Sequence, residues 1–278
     1  MYILIFLFIF LLGTIIGSFL NVVIYRFNTG RTIATGRSIC MTCNRNLRWY
    51  ELIPVFSFLI QSGKCRRCAS RISHQYPLVE LLTGLMFTLV SLKFFHILPI
   101  SYWLYIFLVV LFVFIFSLLI VISVYDLRHK IIPDKLVFIF ILVSFLSIFV
   151  NTSGFGPVLT LPTFIDLVAG PILALPFALL WFFSKGKLMG LGDGKLIIGL
   201  GWVLGMSGGG FSLVLAFWIG TVVSLTLMFL SKSLPHLAKT GKMNMKTEIP
   251  FAPFLIISAF ITFIFSFNFF SLIKLFSI

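Results

Sequence analysis

The feature that most constrains this chain is the recurrence of apolar stretches close to the length that crosses a lipid bilayer. A helix needs about 20 predominantly apolar residues to span the hydrocarbon core. Such stretches occur near residues 2–25, 78–95, 102–124, 136–150, 164–183, 196–206, 211–230 and 254–278. The fourth and sixth are short, and are expected to tilt into protein contacts or to extend beyond their apolar residues. Inside hydrocarbon every backbone N–H and C=O must find a partner within the segment, which leaves helices as the solution for runs of this length. The sequence therefore predicts an all-α polytopic membrane protein with about eight transmembrane helices. Composition removes the soluble alternative: only 10% of the 278 residues are charged and 60% are hydrophobic, against roughly 25% charged in a soluble domain. No cationic segment precedes the first run and no small-residue cleavage site follows it, so residues 1–25 are read as a retained first helix.

The 21 basic and 7 acidic residues give a formal charge of +14. In a soluble domain that excess would suggest nucleic acid. Here its position matters more than its sum, because loops facing the cytosol collect Lys and Arg. Residues 26–71 hold nine basic residues and one acid, Glu51. Arg128, Lys130 and Lys135 follow the third span, Lys185 and Lys187 precede the sixth, and Lys232, Lys239, Lys242 and Lys246 follow the seventh. The intervening loops, near 96–101, 151–163 and 207–210, carry no Lys or Arg. Alternation of basic and uncharged loops predicts both termini on the outer side, with membrane lipid rather than nucleic acid as the partner. Lys93 and Lys274 break the pattern near outer span ends, where a long side chain can snorkel to the interface.

All four cysteines fall in the longest hydrophilic stretch, residues 26–77, as Cys40-Met41-Thr42-Cys43 and Cys65-Arg66-Arg67-Cys68. Each Cys-x-x-Cys knuckle puts two thiolates on one side of a tight turn, and two knuckles complete an all-sulfur tetrahedral zinc site. The alternatives are two disulfides, or four thiols with no shared role. Disulfides are disfavoured in the cytosol, where the charge pattern puts this loop. A closed four-thiolate site has no open coordination position, so the expected metal is structural, and an insertion this small and polar needs such a staple.

Two of the seven acids stand where a membrane protein rarely places a carboxylate without a task. Asp126 ends the third span, with Pro133-Asp134 close behind, and Asp193 lies in Gly190-Leu191-Gly192-Asp193-Gly194-Lys195. Two carboxylates brought together tend to hold one proton between them. Such a pair can activate water with one member while the other protonates the carbonyl or leaving amine. Other readings of the same residues are a proton or cation relay in a transporter, and a structural pairing of Asp126 with a nearby base and of Asp193 as a helix cap.

In order along the chain, these motifs resemble those of the type IV prepilin peptidases, the leader peptidase/N-methyltransferases. The resemblance rests on Gly17-Ser18-Phe19-Leu20-Asn21-Val22-Val23-Ile24-Tyr25-Arg26, the two knuckles, Tyr50-Glu51-Leu52-Ile53-Pro54-Val55 between them, and Tyr76-Pro77-Leu78-Val79-Glu80 after them. It continues through Asp126 to Pro133-Asp134, Gly190-Leu191-Gly192-Asp193, and Ile249-Pro250-Phe251-Ala252-Pro253-Phe254. Met41 departs from the family, which commonly has Pro there, without removing a ligand.

The resemblance implies a Gly-x-Gly-Asp membrane aspartic peptidase with Asp126 and Asp193 as the catalytic pair and Asp134 as the competitor for the first position. It implies substrates of the prepilin and pseudopilin type, cleaved on the cytosolic side of the bacterial inner membrane, and methylation of the freed amine by S-adenosylmethionine. Expected boundaries are a first helix over 1–25, a four-cysteine insertion over 26–77 associated with methyl transfer, and a peptidase core over 78–278. Two other readings compete: a proton-coupled transporter with a zinc-bearing docking loop, and a family member that only cleaves. Glu80 is a candidate for orienting substrate or cofactor, with pairing to a loop Arg as its structural reading. Asp166 is expected at an interface.

Overall fold

A computed structural model describes residues 2–30, 32–33, 36–150, 159–187, 190–233 and 249–268. Lys239, Lys242, Lys246, Lys274 and most of the 151–163 loop lie outside the described residues, as does the end of the last expected span. The described residues are all-helical, with eight α-helices and three isolated two-residue bridges among them. Among the described residues, five helices are long and apolar enough to cross a membrane, which makes this a multi-pass membrane protein. The chain divides into two compact units, Met1–Val121 and Ile122–Ile278.

In the first unit, α1 (Tyr2–Arg26) packs along α3 (Gln75–Phe94). Their approach depends on missing side chains, as is common between membrane helices. A Cβ on Gly13 would stand 2.8 Å from the Gly84 Cα, and one on Gly17 would stand 2.8 Å from the Glu80 Cα. At the Arg26 end the pair is locked by polar contacts. Asn21 Nδ2 donates to the Tyr76 carbonyl at 3.1 Å, and the Tyr25 and Tyr76 rings stack at 4.9 Å. Between α1 and α3 lies the four-cysteine insertion, whose described residues include the short α2 (Phe56–Ile60). The helix α4 (Tyr102–His129) begins in this unit and ends in the second.

The second unit is organised around α7 (Leu191–Ser233), against which α5 (Asp134–Ser147), α6 (Phe164–Ser184) and α8 (Ala252–Phe265) all pack. The sequence suggests two spans and a loop across 196–230; the structure instead joins the two spans at a single residue. Gly205 adopts φ 71° and ψ 176°, a conformation that favours glycine. Residues eight apart in a straight helix stand about 12 Å apart. Yet a Cβ on Gly209 would sit 3.6 Å from the Gly201 Cα. The chain therefore folds back at Gly205, and α7 is two arms, each corresponding to one expected span. With α5 and α8 at 14 residues each, every one of the eight apolar runs finds its own helical segment.

The seam between α6 and α7 shows how proline is accommodated in apolar surroundings. Pro171 lies inside α6 and has no N–H, so the carbonyl four residues earlier loses its helical partner. That carbonyl, Leu167 O, accepts instead from Trp202 Nε1 on α7 at 3.0 Å. A Cβ on Gly170 would lie 2.5 Å from the Ile198 carbonyl. Gly170→Leu is expected to destabilise the second unit by about 1–3 kcal/mol, the usual cost of overpacking. A fall in the thermal transition of the detergent-purified protein measures it.

Candidate active site and metal centre

Asp126 occupies the last turn of α4, and Asp193 the first turn of α7. Both are buried, at 5% and 9% exposure. The chain leaves α4 through Lys130, whose left-handed conformation lets its N–H close on the Asp126 carbonyl. Pro133 then caps α5. The loop between them packs on the start of α7 at Gly192, where a Cβ would meet Ile132 Cβ at 2.9 Å. Glycine at 192 is thus what admits Asp193 to the Asp126 end of α4, and the two carboxylates interact electrostatically.

The rest of the setting is asymmetric. The Asp126 carboxylate accepts from the backbone N–H of Ala252, the first residue of α8. Ala252 is fully buried, and Pro253 follows with no N–H of its own. Asp193 Oδ1 is buried and meets no donor among the described residues. One carboxylate is held by a fixed donor, and the other keeps an acceptor oxygen available within a closed site.

Asp134 lies elsewhere. Its side chain is 74% exposed and takes Lys195 Nζ at 2.7 Å, so Lys195 ties the start of α5 to α7. The His129 ring packs on Tyr125 at 4.4 Å. Asp166 caps α6 with Thr163 in reciprocal side-chain and backbone hydrogen bonds. Glu80, buried in the second turn of α3, has partners other than the loop Arg expected from the sequence. It accepts from the Val55 N–H at 2.8 Å and from the Ser18 side chain. Val55 has φ 62° and ψ −53°, a strained state for a β-branched residue. The Glu80 bond fixes that turn and draws the insertion onto α3.

The two knuckles have the same local geometry. In each, the first cysteine exchanges backbone hydrogen bonds with the residues after the second: Cys40 N to Arg45 O and Asn44 N to Cys40 O, then Cys65 N to Ser70 O and Ala69 N to Cys65 O. Asn44 and Ala69 each adopt φ 53° to close the turn. The four sulfurs lie within 4.8 Å of one another, arranged to bind one metal ion. Burial opposes ionisation of Cys40, but N–H groups of Cys43 and Thr42 point at its sulfur and bring the thiol down to about 6. N–H groups of Cys68 and Arg67 likewise lower Cys65. Backbone donors aimed at sulfur favour thiolate, the ligand form. Beside the cluster, Glu51 is held below the usual carboxylate range by Arg45 Nη2 at 2.7 Å and the Arg48 N–H at 2.8 Å.

Two structural features were not legible in the motifs alone. The Ala252 N–H is a backbone group, and its sequence signal is only the pair of prolines, Pro250 and Pro253, around it. The Glu80–Val55 bond likewise depends on a backbone donor that residue identity does not reveal.

The architecture and the buried carboxylates define a class: a multi-pass helical membrane protein with two buried aspartates at a helix junction and four cysteines arranged to bind a metal ion. Family comparison gives the same answer. Residues 11–94 match the bacterial peptidase A24 N-terminal domain, and residues 113–225 match the type IV leader peptidase family. The chain is 31% identical to a prepilin leader peptidase/N-methyltransferase of Bacillus subtilis, over 88% of each chain. It is 29% identical to one of Stutzerimonas stutzeri, over 90% of this chain and 87% of that relative. Over 80 residues it is 52% identical to one of Myxococcus xanthus, covering 29% of this chain and 24% of that relative. No solved structure matches. The chain belongs to the type IV leader peptidase family, and is an enzyme.

Proposed function

We propose that this enzyme cleaves the leader of type IV prepilins or pseudopilins at the cytosolic face of the bacterial inner membrane, and methylates the amine it frees. The observation that carries the reading is the buried approach of Asp126 and Asp193 at one helix junction, in a family whose relatives are named for this activity. One carboxylate takes a proton from water as its oxygen attacks the scissile carbonyl. The other gives its proton to the carbonyl oxygen, and collapse of the tetrahedral species returns a proton to the departing amine. Asp134, exposed and paired with Lys195, is poorly placed for either task.

Residues 1–25, 26–77 and 78–278 divide into a first helix, a metal-stapled insertion and a peptidase core. Zinc fits the insertion. A tetrahedral site with Zn–S near 2.3 Å separates its sulfurs by about 3.8 Å, and Cys40 and Cys68 stand 3.8 Å apart. Cys40, Cys43, Cys65 and Cys68 would hold it as a closed structural site. S-adenosylmethionine would supply an electrophilic methyl group to the new amine. The insertion, as the sizeable hydrophilic element next to the first span, forms at least one wall of that site.

Incubating the purified protein with a synthetic prepilin tests the reading by mass spectrometry. The expected products are free leader and a mature chain that gains one methyl group only when S-adenosylmethionine is present. An intact substrate after prolonged incubation overturns it.

A further inference from the structure

The insertion has a cavity of about 300 Å³ that neither the aspartate pair nor the four sulfurs use, lined by Arg45, Arg48, Tyr50, Glu51, Arg66 and Arg67. Four guanidiniums face a single carboxylate. Glu51 is buried, and its two oxygens are taken by Arg45 and the Arg48 N–H. Tyr50 organises two of the other cations: Arg48 Nη1 donates to its hydroxyl at 3.1 Å, and the Arg66 guanidinium stacks 5.1 Å from its ring centre. An Arg stacked by its face keeps its N–H edges for a ligand, and planar forks of this kind suit phosphate.

The position of the cavity identifies the source of the phosphate. Glu80, in the second turn of α3, holds the Val55 N–H and so draws residues 49–60 to the end of a membrane-spanning helix. The same stretch exposes large apolar side chains: Trp49 at 79%, Phe56 at 59%, Leu59 at 65% and Ile60 at 71%. Trp and apolar residues beside arginines are the composition of a surface that meets lipid headgroups and the first acyl carbons. S-adenosylmethionine is a poor fit, because its sulfonium and ammonium would face an excess of positive charge.

We propose that the Arg48–Tyr50–Arg66–Arg67 cavity is a binding site for the phosphate of an anionic phospholipid, with Trp49 and α2 seated on the adjoining acyl region. Bound lipid would fix the insertion against the bilayer beside its second knuckle, which supplies Arg66 and Arg67.

Native mass spectrometry of the full-length protein in neutral detergent tests this with phosphatidylglycerol and phosphatidylcholine as probes. The expected result is retention of phosphatidylglycerol over phosphatidylcholine, lowered about tenfold or more in Arg48→Gln/Arg66→Gln/Arg67→Gln. Arg37→Gln/Lys64→Gln/Arg71→Gln removes the same charge from elsewhere in the insertion and is expected to retain the lipid. Arg66 and Arg67 lie inside a knuckle, so metal content is measured in parallel. Arg48→Gln alone, outside both knuckles, is expected to lose retention several-fold with metal intact. Equal retention of the two lipids by the wild type, or equal loss in the two triple variants, overturns the proposal. Displacement of the lipid by millimolar inorganic phosphate would assign the cavity to a soluble phosphate and overturn the lipid assignment. Displacement by S-adenosylmethionine would make it the methyl-donor site.

Discussion

Asp126→Asn and Asp193→Asn are each expected to abolish leader cleavage in a protein that still inserts and folds. Asn keeps the volume of the side chain but can neither hold the shared proton nor accept one from water. A positioned acid or base contributes about 10²–10⁴-fold, and groups that act as a unit lose most of that when either is removed. Folding should survive because neither aspartate carries an ion pair among the described residues. In Asp126→Asn the amide oxygen can still accept from the Ala252 N–H. Cleavage of a synthetic prepilin by each purified variant, with its thermal transition recorded alongside, separates a chemical loss from a structural one. Methyl transfer does not use the aspartates, so Asp193→Asn should still methylate a pre-cleaved peptide.

Changing Cys40, Cys43, Cys65 and Cys68 together to Ser is expected to remove one bound zinc per chain and make the insertion sensitive to protease. Among the described residues, the insertion has one buried apolar side chain outside its helical anchors, and that is Cys65 itself. Its folding is therefore linked to the metal. The Glu80–Val55 and Arg45–Glu51 contacts remain available, but they tie separate turns and do not join the knuckles. Methylation should fall further than cleavage, because the aspartate pair lies wholly in the other unit. Metal analysis, limited proteolysis and both assays on the same preparation measure this. A mutant that cleaves poorly yet methylates normally would assign the insertion to the peptidase instead.

Much of the molecule is written in side-chain identity, and that part is legible in the sequence. Apolar length marks the spans, and the Cys-x-x-Cys spacing marks the knuckles. The scarcity of acids makes Asp126 and Asp193 stand out. Backbone conformation is where the sequence falls silent. The fold-back at Gly205 looks like a loop over 207–210 in a hydropathy pattern, because a run of glycines near a hydrophobic break has the same signature whether the turn takes four residues or one. Glu80 invites pairing with an Arg because both are charged, whereas its partner is the Val55 amide, held in a conformation that residue type gives no reason to expect. The role of Gly192 is intermediate. The glycine is visible in the motif, but the close approach of Ile132 that requires it is a property of the packed helices.

The assignment of the pair is tested most directly by the initial cleavage rates of Asp126→Asn and Asp134→Asn, compared at equal protein and equal substrate. Asp126 is buried beside Asp193, and Asp134 is an exposed partner of Lys195. Removing a surface ion pair costs about 0–1 kcal/mol. The account predicts no product from Asp126→Asn and a rate within about tenfold of wild type from Asp134→Asn. An active Asp126→Asn beside an inactive Asp134→Asn would contradict it.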